Sequence, residues 1–251
     1  MPSRADDPWS AVADDWGRYW GSFARPVWEP LLRAARIGAG SRVLDVGCGS
    51  GELLEHLQDQ GAQAHGVDPA RRMVELARAR AVGADVRRGD FEHLPFDDGR
   101  LDAVLAVNAF QFAAEPDDAL AEAARVLVPG GVLGLAGWAE RARNDLDALN
   151  AALAEADGEE PPEDGPLRVE GGLAAVLGDA GWTVLDEGVT SVPWVVRDGT
   201  DLVRGILFGE SPATVEELAP VILGAATPFR RPDGSYRLVN AFRWAVARRP
   251  S

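Results

Sequence analysis

From residue 41 onward, short apolar runs alternate with segments whose apolar residues recur every three or four positions. The runs predict buried β-strands and the periodic segments predict amphipathic helices. Strands are expected over residues 42–46, 64–68, 85–87, 101–107, 132–137, 182–187 and 237–247. Helices are expected over residues 52–60, 69–81, 117–126, 144–157, 173–180, 202–209 and 215–226. The alternation of strand and helix is typical of βαβ units and predicts an α/β protein with a mostly parallel sheet.

Residues 1–40 precede the first predicted strand and are rich in aromatic side chains. Several of these recur at spacings of three and four, which would place them on one helix face, namely Trp16, Tyr19, Trp20 and Phe23. We expect residues 1–40 to form an N-terminal helical lid on a main domain of residues 41–251. A small helical insertion is expected within that domain, over about residues 198–232. The spacing leaves open whether the aromatic side chains line a cleft or only cover the core.

Charge and composition restrict the class of function. The chain has 251 residues, 46% of them hydrophobic, which is enough for a sizeable core. Its net charge is −15 and its 25 basic residues are all Arg. Proteins that bind nucleic acid usually present a basic stripe to the phosphates, so nucleic acid is disfavoured as a partner. The lack of Lys also excludes a Lys nucleophile.

The cysteine content and the longest apolar runs restrict location and metal binding. A single Cys48 excludes an internal disulfide, and the three His argue against a protein-built metal site. No apolar run approaches the roughly 20 residues that a membrane helix needs. The first ten residues lack the apolar core of a signal peptide. We therefore expect a cytoplasmic protein that does not bind membranes.

The glycine-rich turn after the first predicted strand is the clearest candidate for chemistry. Three glycines separate the strand from a helix, so that a ligand can approach the backbone and the helix N–H groups closely. A P-loop needs Gly-Lys-Ser/Thr, and the chain has no Lys. A dinucleotide fingerprint would have a small residue at position 52, where Glu52 would repel a pyrophosphate. The pattern excludes a P-loop and weakens the case for NAD or FAD without excluding it.

This turn resembles motif I of the class I S-adenosylmethionine-dependent methyltransferases, Asp/Glu-x-Gly-x-Gly-x-Gly. The residues that match are Asp45, Gly47, Gly49 and Gly51, with Cys48 between them. The resemblance implies a Rossmann-like, doubly wound fold with a seven-stranded sheet, helices on both faces and an antiparallel last strand. It also implies S-adenosylmethionine as cofactor and S-adenosylhomocysteine as product. An acidic residue suits this cofactor, which carries an ammonium and a sulfonium cation and no phosphate.

Further segments of the same resemblance extend over residues 42–137. The resemblance assigns Asp68, followed by Pro69, to the ribose hydroxyls. It assigns Asp90 to the adenine amino group and Phe91 to the adenine ring, within a Gly-Asp-x-x-x-Leu-Pro-Phe segment. The other residues expected at the cofactor are Met73, Asn108 and Phe110.

The methyl acceptor is expected to bind after the fourth strand. Family members that methylate exocyclic amines of bases, or protein glutamine, carry Asn/Asp-Pro-Pro-Tyr/Phe there, whereas residues 108–112 are Asn-Ala-Phe-Gln-Phe. The missing prolines and the acidic charge favour a small-molecule acceptor, as in a bacterial small-molecule subgroup that the chain resembles. Residues expected to contact this acceptor are Trp16, Tyr19, Trp20, Gln111 and Trp138.

No catalytic residue is predicted, and two other functions stay open. The histidines are not placed convincingly for a general base, and the acids after the fourth strand are typical of helix caps. The chain could be an enzyme of the same fold that uses its cofactor for a non-methylating reaction, or a non-catalytic cofactor-binding accessory protein. An NAD-dependent oxidoreductase is disfavoured by Glu52 and by the lack of a Tyr-x-x-x-Lys pair. Both a monomer and a homodimer agree with the sequence.

Overall fold

The computed structural model describes residues 8–250, in which seven strands form one sheet in the order β3-β2-β1-β4-β5-β7-β6. The strands are β1 (Arg42–Val46), β2 (Gln63–Asp68), β3 (Asp85–Arg88), β4 (Leu101–Val107), β5 (Leu127–Trp138), β6 (Thr183–Val196) and β7 (Tyr236–Arg248). The helices are α1 (Pro8–Tyr19), α2 (Arg25–Ala34), α3 (Glu52–Asp59), α4 (Arg71–Arg80), α5 (Pro116–Val126), α6 (Asp145–Ala156), α7 (Gly172–Asp179), α8 (Gly199–Ile206) and α9 (Pro212–Ala225). No helix of this part of the chain is long and apolar enough to cross a bilayer.

The order of the strands confirms the doubly wound sheet. β1 pairs in parallel with both β2 and β4, and β7 runs antiparallel between β5 and β6. The chain turns outward in opposite directions from β1, so the topological switch point lies between β1 and β4. In open α/β sheets ligands bind outside the carboxyl ends of the strands at this point. The fold therefore predicts a ligand site after Val46 and Val107.

Helices cover both faces of the sheet, as expected. On one face, Leu105 of β4 belongs to a buried cluster with Leu31 of α2 and Leu54 of α3. On the other face, Leu44 of β1 packs in a cluster with Leu120 of α5 and others from α7. Successive strand residues point to opposite faces, and because both faces are covered, strands such as β4 are apolar at nearly every position.

Several predicted boundaries differ from the structure for local reasons. β6 continues to Val196, nine residues beyond the prediction, although it contains Gly188 and Pro193. β6 is an edge strand, where a proline does not remove a needed ladder hydrogen bond. α8 begins three residues earlier than predicted, because the Asp198 carboxylate accepts from Asp201 N at 2.9 Å and caps the helix.

The aromatic N-terminal segment forms two helices rather than one continuous helix face. α1 ends at Tyr19, and α2 begins at Arg25. Trp20 and Phe23 therefore lie in the turn between the helices. Gly21 in this turn packs closely on Glu52, since a Cβ on this glycine would lie 2.3 Å from Glu52 Oε1. The turn holds α1 across the carboxyl ends of the strands.

Candidate active site

A cavity of about 140 Å³ lies at the carboxyl ends of β1, β2 and β4. The switch point and this cavity coincide, as the fold predicts. Most of the residues predicted at the cofactor line it, namely Gly47, Gly49, Asp68, Pro69, Met73, Asp90, Phe91 and Asn108. Trp9 and Trp16 of α1 form the opposite wall.

The glycine turn adopts a backbone that other residues would strain. Gly47, Gly49 and Gly51 have φ angles of +71°, +52° and +90°. A Cβ on Gly47 would lie 2.5 Å from the Cβ of Ala109, so that the turn after β1 and the turn after β4 touch. Gly51 does not line the cavity; its absent Cβ lets α3 approach the Ala77 backbone of α4.

Asp68 joins the glycine turn to the end of β2. One carboxylate oxygen accepts from Gly49 N at 3.0 Å and the other accepts from Ala70 N at 2.9 Å. The side chain is buried, yet it borders the cavity. Asp68 thus orders the turn and also presents negative charge to a ligand.

Asp45 and Cys48 line a second, smaller cavity of about 60 Å³ next to the first. Burial raises the pKa of the Asp45 carboxyl well above its ordinary value, and the charges of Asp68 and Glu52 raise it further. Glu52 has its own partners, accepting from Ser50 Oγ at 2.8 Å and pairing with Arg80 at 2.9 Å. Asp45 makes no side-chain hydrogen bond or ion pair within residues 8–250. A buried carboxylate in this position suits a cationic ligand.

The opposite end of the first cavity is formed by the segment after β3. Asp90 is half exposed, and its carboxylate lies 3.1 Å from His93 Nδ1. Phe91 is buried and meets the ring of Phe110 edge to face, with centroids 5.7 Å apart. Phe110 is thus one layer behind the cavity wall. Met73 closes this end through contacts with residues of α1.

The predicted aromatic residues separate into two groups. Trp16 borders both cavities, stacks on Trp20 with centroids 6.3 Å apart, and meets Trp9 edge to face at 5.4 Å. Tyr19 faces away, into a different cavity lined by Val203 and other residues of α8 and α9. The helical spacing could not separate them, because α1 ends at Tyr19 and the chain then turns.

A third cavity of about 340 Å³ adjoins the first two and brings together residues from distant parts of the chain. Of the residues predicted at the acceptor, Trp16, Trp20, Gln111 and Trp138 line it. The others that line it are Trp9, Asn108, Phe112, Arg141, Leu146, Asp147, Asn150, Arg168, Ile206 and Phe208. The sequence analysis missed the polar group at residues 141–168, since it lies on irregular segments and on α6 without a motif.

Asn108 stands where the three cavities meet. Its φ angle of +55° is rare for a residue other than glycine. The backbone N–H donates to Ala136 O at 2.7 Å, and the side-chain Oδ1 accepts from Gln111 Nε2 at 2.8 Å. These bonds hold the turn after β4 between the glycine turn and the third cavity.

The histidines do not supply an evident base at this junction. His56 packs on Trp28, and His65 packs on Phe96 with its pKa lowered by burial. His93 is exposed beside Asp90. No three His, Cys, Asp or Glu side chains of the described residues are grouped to hold a metal ion.

The comparisons with known proteins agree with this geometry. A model of the methyltransferase domain family matches residues 44–135. An uncharacterized methyltransferase of Mycobacterium tuberculosis is 41% identical over 116 residues, 44% of this chain and 46% of that protein. The malonyl-[acyl-carrier protein] O-methyltransferase of Serratia marcescens is 32% identical over 155 residues, 59% of this chain and 60% of that protein. The chain thus spans about half the length of the curated relatives it matches.

A solved structure extends the similarity to the whole fold. The protein BH2331 of Bacillus halodurans superimposes with a TM-score of 0.61 at 20% identity, covering 89% of this chain and 98% of that one. At this identity the similarity concerns the fold alone. The similarity to the methyltransferase domain family therefore concerns residues 44–135, and that of the remaining chain is one of fold.

Proposed function

We propose that the protein transfers a methyl group from S-adenosylmethionine to a small-molecule acceptor. The observation that carries this proposal is the acidic glycine turn at the switch point, where Asp45 is buried without a protein cation. A cofactor with an ammonium and a sulfonium group, and no phosphate, suits such a turn. A pyrophosphate would meet Glu52 in the first turn of α3.

Different residues of the cavity would bind different parts of the cofactor. When bound, the cofactor supplies an electrophilic methyl group on its sulfonium. Asp45 would balance positive charge, and Asp68 would accept from ribose hydroxyls while it holds the glycine turn. Asp90 and Phe91 would accept from the adenine amino group and pack on the ring. Trp16 would cover the cofactor from α1, and tryptophan faces attract cations.

The acceptor would bind in the third cavity, which meets the first at Asn108 and Trp16. Side chains of α1 and α6 and residues at the end of α8 line this cavity and would align the acceptor with the methyl group, which is the main requirement for in-line transfer. A cavity of about 340 Å³ suits a small molecule rather than a polymer.

Calorimetric titration with S-adenosylmethionine, S-adenosylhomocysteine and NAD tests the cofactor assignment. We expect micromolar binding of the two adenosyl compounds and none of NAD. Asp68→Asn should weaken binding of S-adenosylhomocysteine at least tenfold, which corresponds to about 1.4 kcal/mol. The matched control is Asp98→Asn, since Asp98 is exposed and pairs with Arg125 away from the cavities.

Methyl transfer is tested separately with cofactor that carries a ¹³C-labelled methyl group. The protein is incubated with the small-molecule fraction of a bacterial extract and the products are analysed by mass spectrometry. We expect S-adenosylhomocysteine and a product that carries the label. Tight cofactor binding with neither product would instead favour the non-methylating enzyme or the accessory protein. No binding of either adenosyl compound would refute the proposed function.

A further inference from the structure

The third cavity has two ends of different chemistry. Aromatic rings surround one end, contributed by Trp9, Trp16, Trp20, Phe112, Trp138 and Phe208. The other end carries two arginines, Arg141 and Arg168, which both contact Asp147, and Asn150 lies next to Asp147. A flat apolar body would fit the first end, and a polar substituent would reach the second.

The Asp147 carboxylate at the polar end is already occupied. Its Oδ1 lies 3.1 Å from Arg141 Nη2, and its Oδ2 accepts from Arg168 Nη2. The Asp164 carboxylate nearby accepts from the backbone N–H of Arg141 at 3.0 Å and pairs with Arg168 Nε at 3.2 Å. Neither acid is available to a cationic group of a ligand.

The two arginines differ in how many hydrogen-bond acceptors the protein offers their guanidinium groups. Arg168 donates to Asp147 and to Ala139 O at 2.9 Å, so it serves mainly to join α6 to the end of β5. The side chain of Arg141 has only the ion pair with Asp147, in which Nη2 lies 3.1 Å from Oδ1 without hydrogen-bond geometry, and its guanidinium makes no hydrogen bond within residues 8–250. Guanidinium donors that are left without well-aligned acceptors in a partly buried site favour a ligand that can accept from them.

We infer that the methyl acceptor is a flat, apolar molecule that carries a carboxylate or a similar anionic group, and that Arg141 recognises this group. The inference rests on the proposed function and names the substrate class of the same site. A planar guanidinium favours carboxylates because it can donate two parallel N–H bonds. The aromatic end attracts cations too, but at the polar end Asp147 and Asp164 both have partners, whereas the Arg141 guanidinium keeps donors that make no hydrogen bond, and these favour an anion.

Three naphthalene probes of matched shape test the charge preference. 2-Naphthoate, 2-naphthamide and 2-naphthylmethylammonium are titrated by calorimetry into protein saturated with S-adenosylhomocysteine. We expect the anion to bind at least tenfold more tightly than the amide, and the cation to bind more weakly than the amide. Equal affinities, a preference for the cation, or no binding of any probe up to millimolar concentration would overturn the inference.

The variant Arg141→Gln tests the recognition residue. It should weaken 2-naphthoate binding about tenfold and leave 2-naphthamide within about twofold of the wild-type affinity. Arg143→Gln is the control, since Arg143 belongs to the same short turn, is half exposed and pairs with Glu140 outside the cavity. An unchanged preference for the anion in folded Arg141→Gln protein would refute the role of Arg141. If this variant does not fold, the affinities of the three probes for the wild-type protein test the inference by themselves.

Failure of this inference can be separated from failure of the proposed function. Binding of S-adenosylhomocysteine is measured first, without any probe, in wild-type and Arg141→Gln protein. Both should bind it alike, because Arg141 does not line the cavity at the glycine turn. Loss of cofactor binding by the wild type would refute the proposed function, whereas cofactor binding without anion preference would refute only the acceptor class.

Discussion

At the residue scale, Asp45 combines a stability cost with a binding role. The carboxyl is buried at the end of β1, where burial and the charges of Asp68 and Glu52 raise its pKa. A raised pKa in the folded state means that the folded protein binds more protons than the unfolded chain. Stability therefore falls as the pH rises from the unfolded carboxyl pKa of about 3.9 through the raised folded value. A bound cation would offset this loss.

Asp45→Asn should consequently stabilise the ligand-free protein and weaken cofactor binding. At pH 8 we expect the melting temperature without ligand to rise by roughly 2–4 °C, the shift that about 1 kcal/mol causes in a chain of this size. The difference should vanish near pH 4, where the wild-type carboxyl is protonated. Calorimetry at pH 8 should show S-adenosylmethionine affinity reduced about tenfold.

Asp102→Asn provides a control of opposite sign. A hydrogen bond from Arg42 lowers the pKa of the Asp102 carboxyl, so ionisation of Asp102 stabilises the fold above the ordinary carboxyl pKa. At pH 8 this variant should melt at a lower temperature than the wild type and bind the cofactor normally. If Asp45→Asn were also destabilised at pH 8, the Asp45 carboxylate would have a favourable partner that contradicts our account.

At the element scale, α1 borders the cavity at the switch point and is attached to the fold at both ends. Arg72 of α4 donates to both oxygens of Asp14, at 2.7 and 3.0 Å, and its backbone N–H donates to Ser10 Oγ. Beyond the C-terminal end of α1, Trp20 Nε1 donates to Gly205 O at 2.7 Å. These noncovalent contacts hold Trp9 and Trp16 over the cavity.

Arg72→Ala should release one end of α1 and speed cofactor dissociation. We expect the dissociation rate of S-adenosylhomocysteine, measured by stopped-flow tryptophan fluorescence, to rise about three- to tenfold with little change in the association rate. Salt should raise the wild-type dissociation rate more than that of the variant, because the pair is exposed.

Arg33→Ala is the matched control for this prediction. Arg33 pairs with Glu29 on the exposed face of α2 and lines none of the three cavities described above. Its removal should leave both rates unchanged. Equal dissociation rates in wild-type and Arg72→Ala protein would mean that α1 does not retain the cofactor.

At the scale of the whole molecule, the charge of −15 destabilises the folded state by self-repulsion. Salt screens this repulsion, and it also screens the ion pairs, most of which are exposed and contribute little. Because carboxylates are in excess, screening of the repulsion should outweigh screening of the ion pairs, so that salt stabilises the folded state. We expect the melting temperature of the ligand-free protein at pH 7.5 to rise by several degrees between 20 and 500 mM NaCl.

Melting temperatures measured by scanning calorimetry at pH 5, at the same two salt concentrations, supply the control. The sequence isoelectric point is about 4.6, so the net charge at pH 5 is small and the repulsion nearly absent. The stabilisation by salt should then disappear or change sign. An equal rise at both pH values would show that salt acts through surface exclusion rather than through charge.

The sequence by itself determined the alternation of strands and helices from residue 41 onward and the acidic glycine turn, and the resemblance to a known family implied the doubly wound sheet. The first two features are local: apolar periodicity follows from which faces are covered, and the turn needs glycines wherever φ is positive. Gly47 and Gly49 therefore indicated from the sequence alone where a ligand could approach the backbone. The differences include a helix end set by a single side chain, the cap at Asp198, the edge strand that tolerates Pro193, and the break between α1 and α2.

Only the tertiary structure decided which side chains meet at the ligand cavities. Trp20 and Tyr19 are neighbours in sequence, yet the end of α1 directs one to the cleft and the other away from it. Arg141 and Arg168 lie 27 residues apart and converge on Asp147 only when α6 packs against β7. The physical reason is that periodicity records burial within one element, whereas a site depends on the angles at which several elements pack.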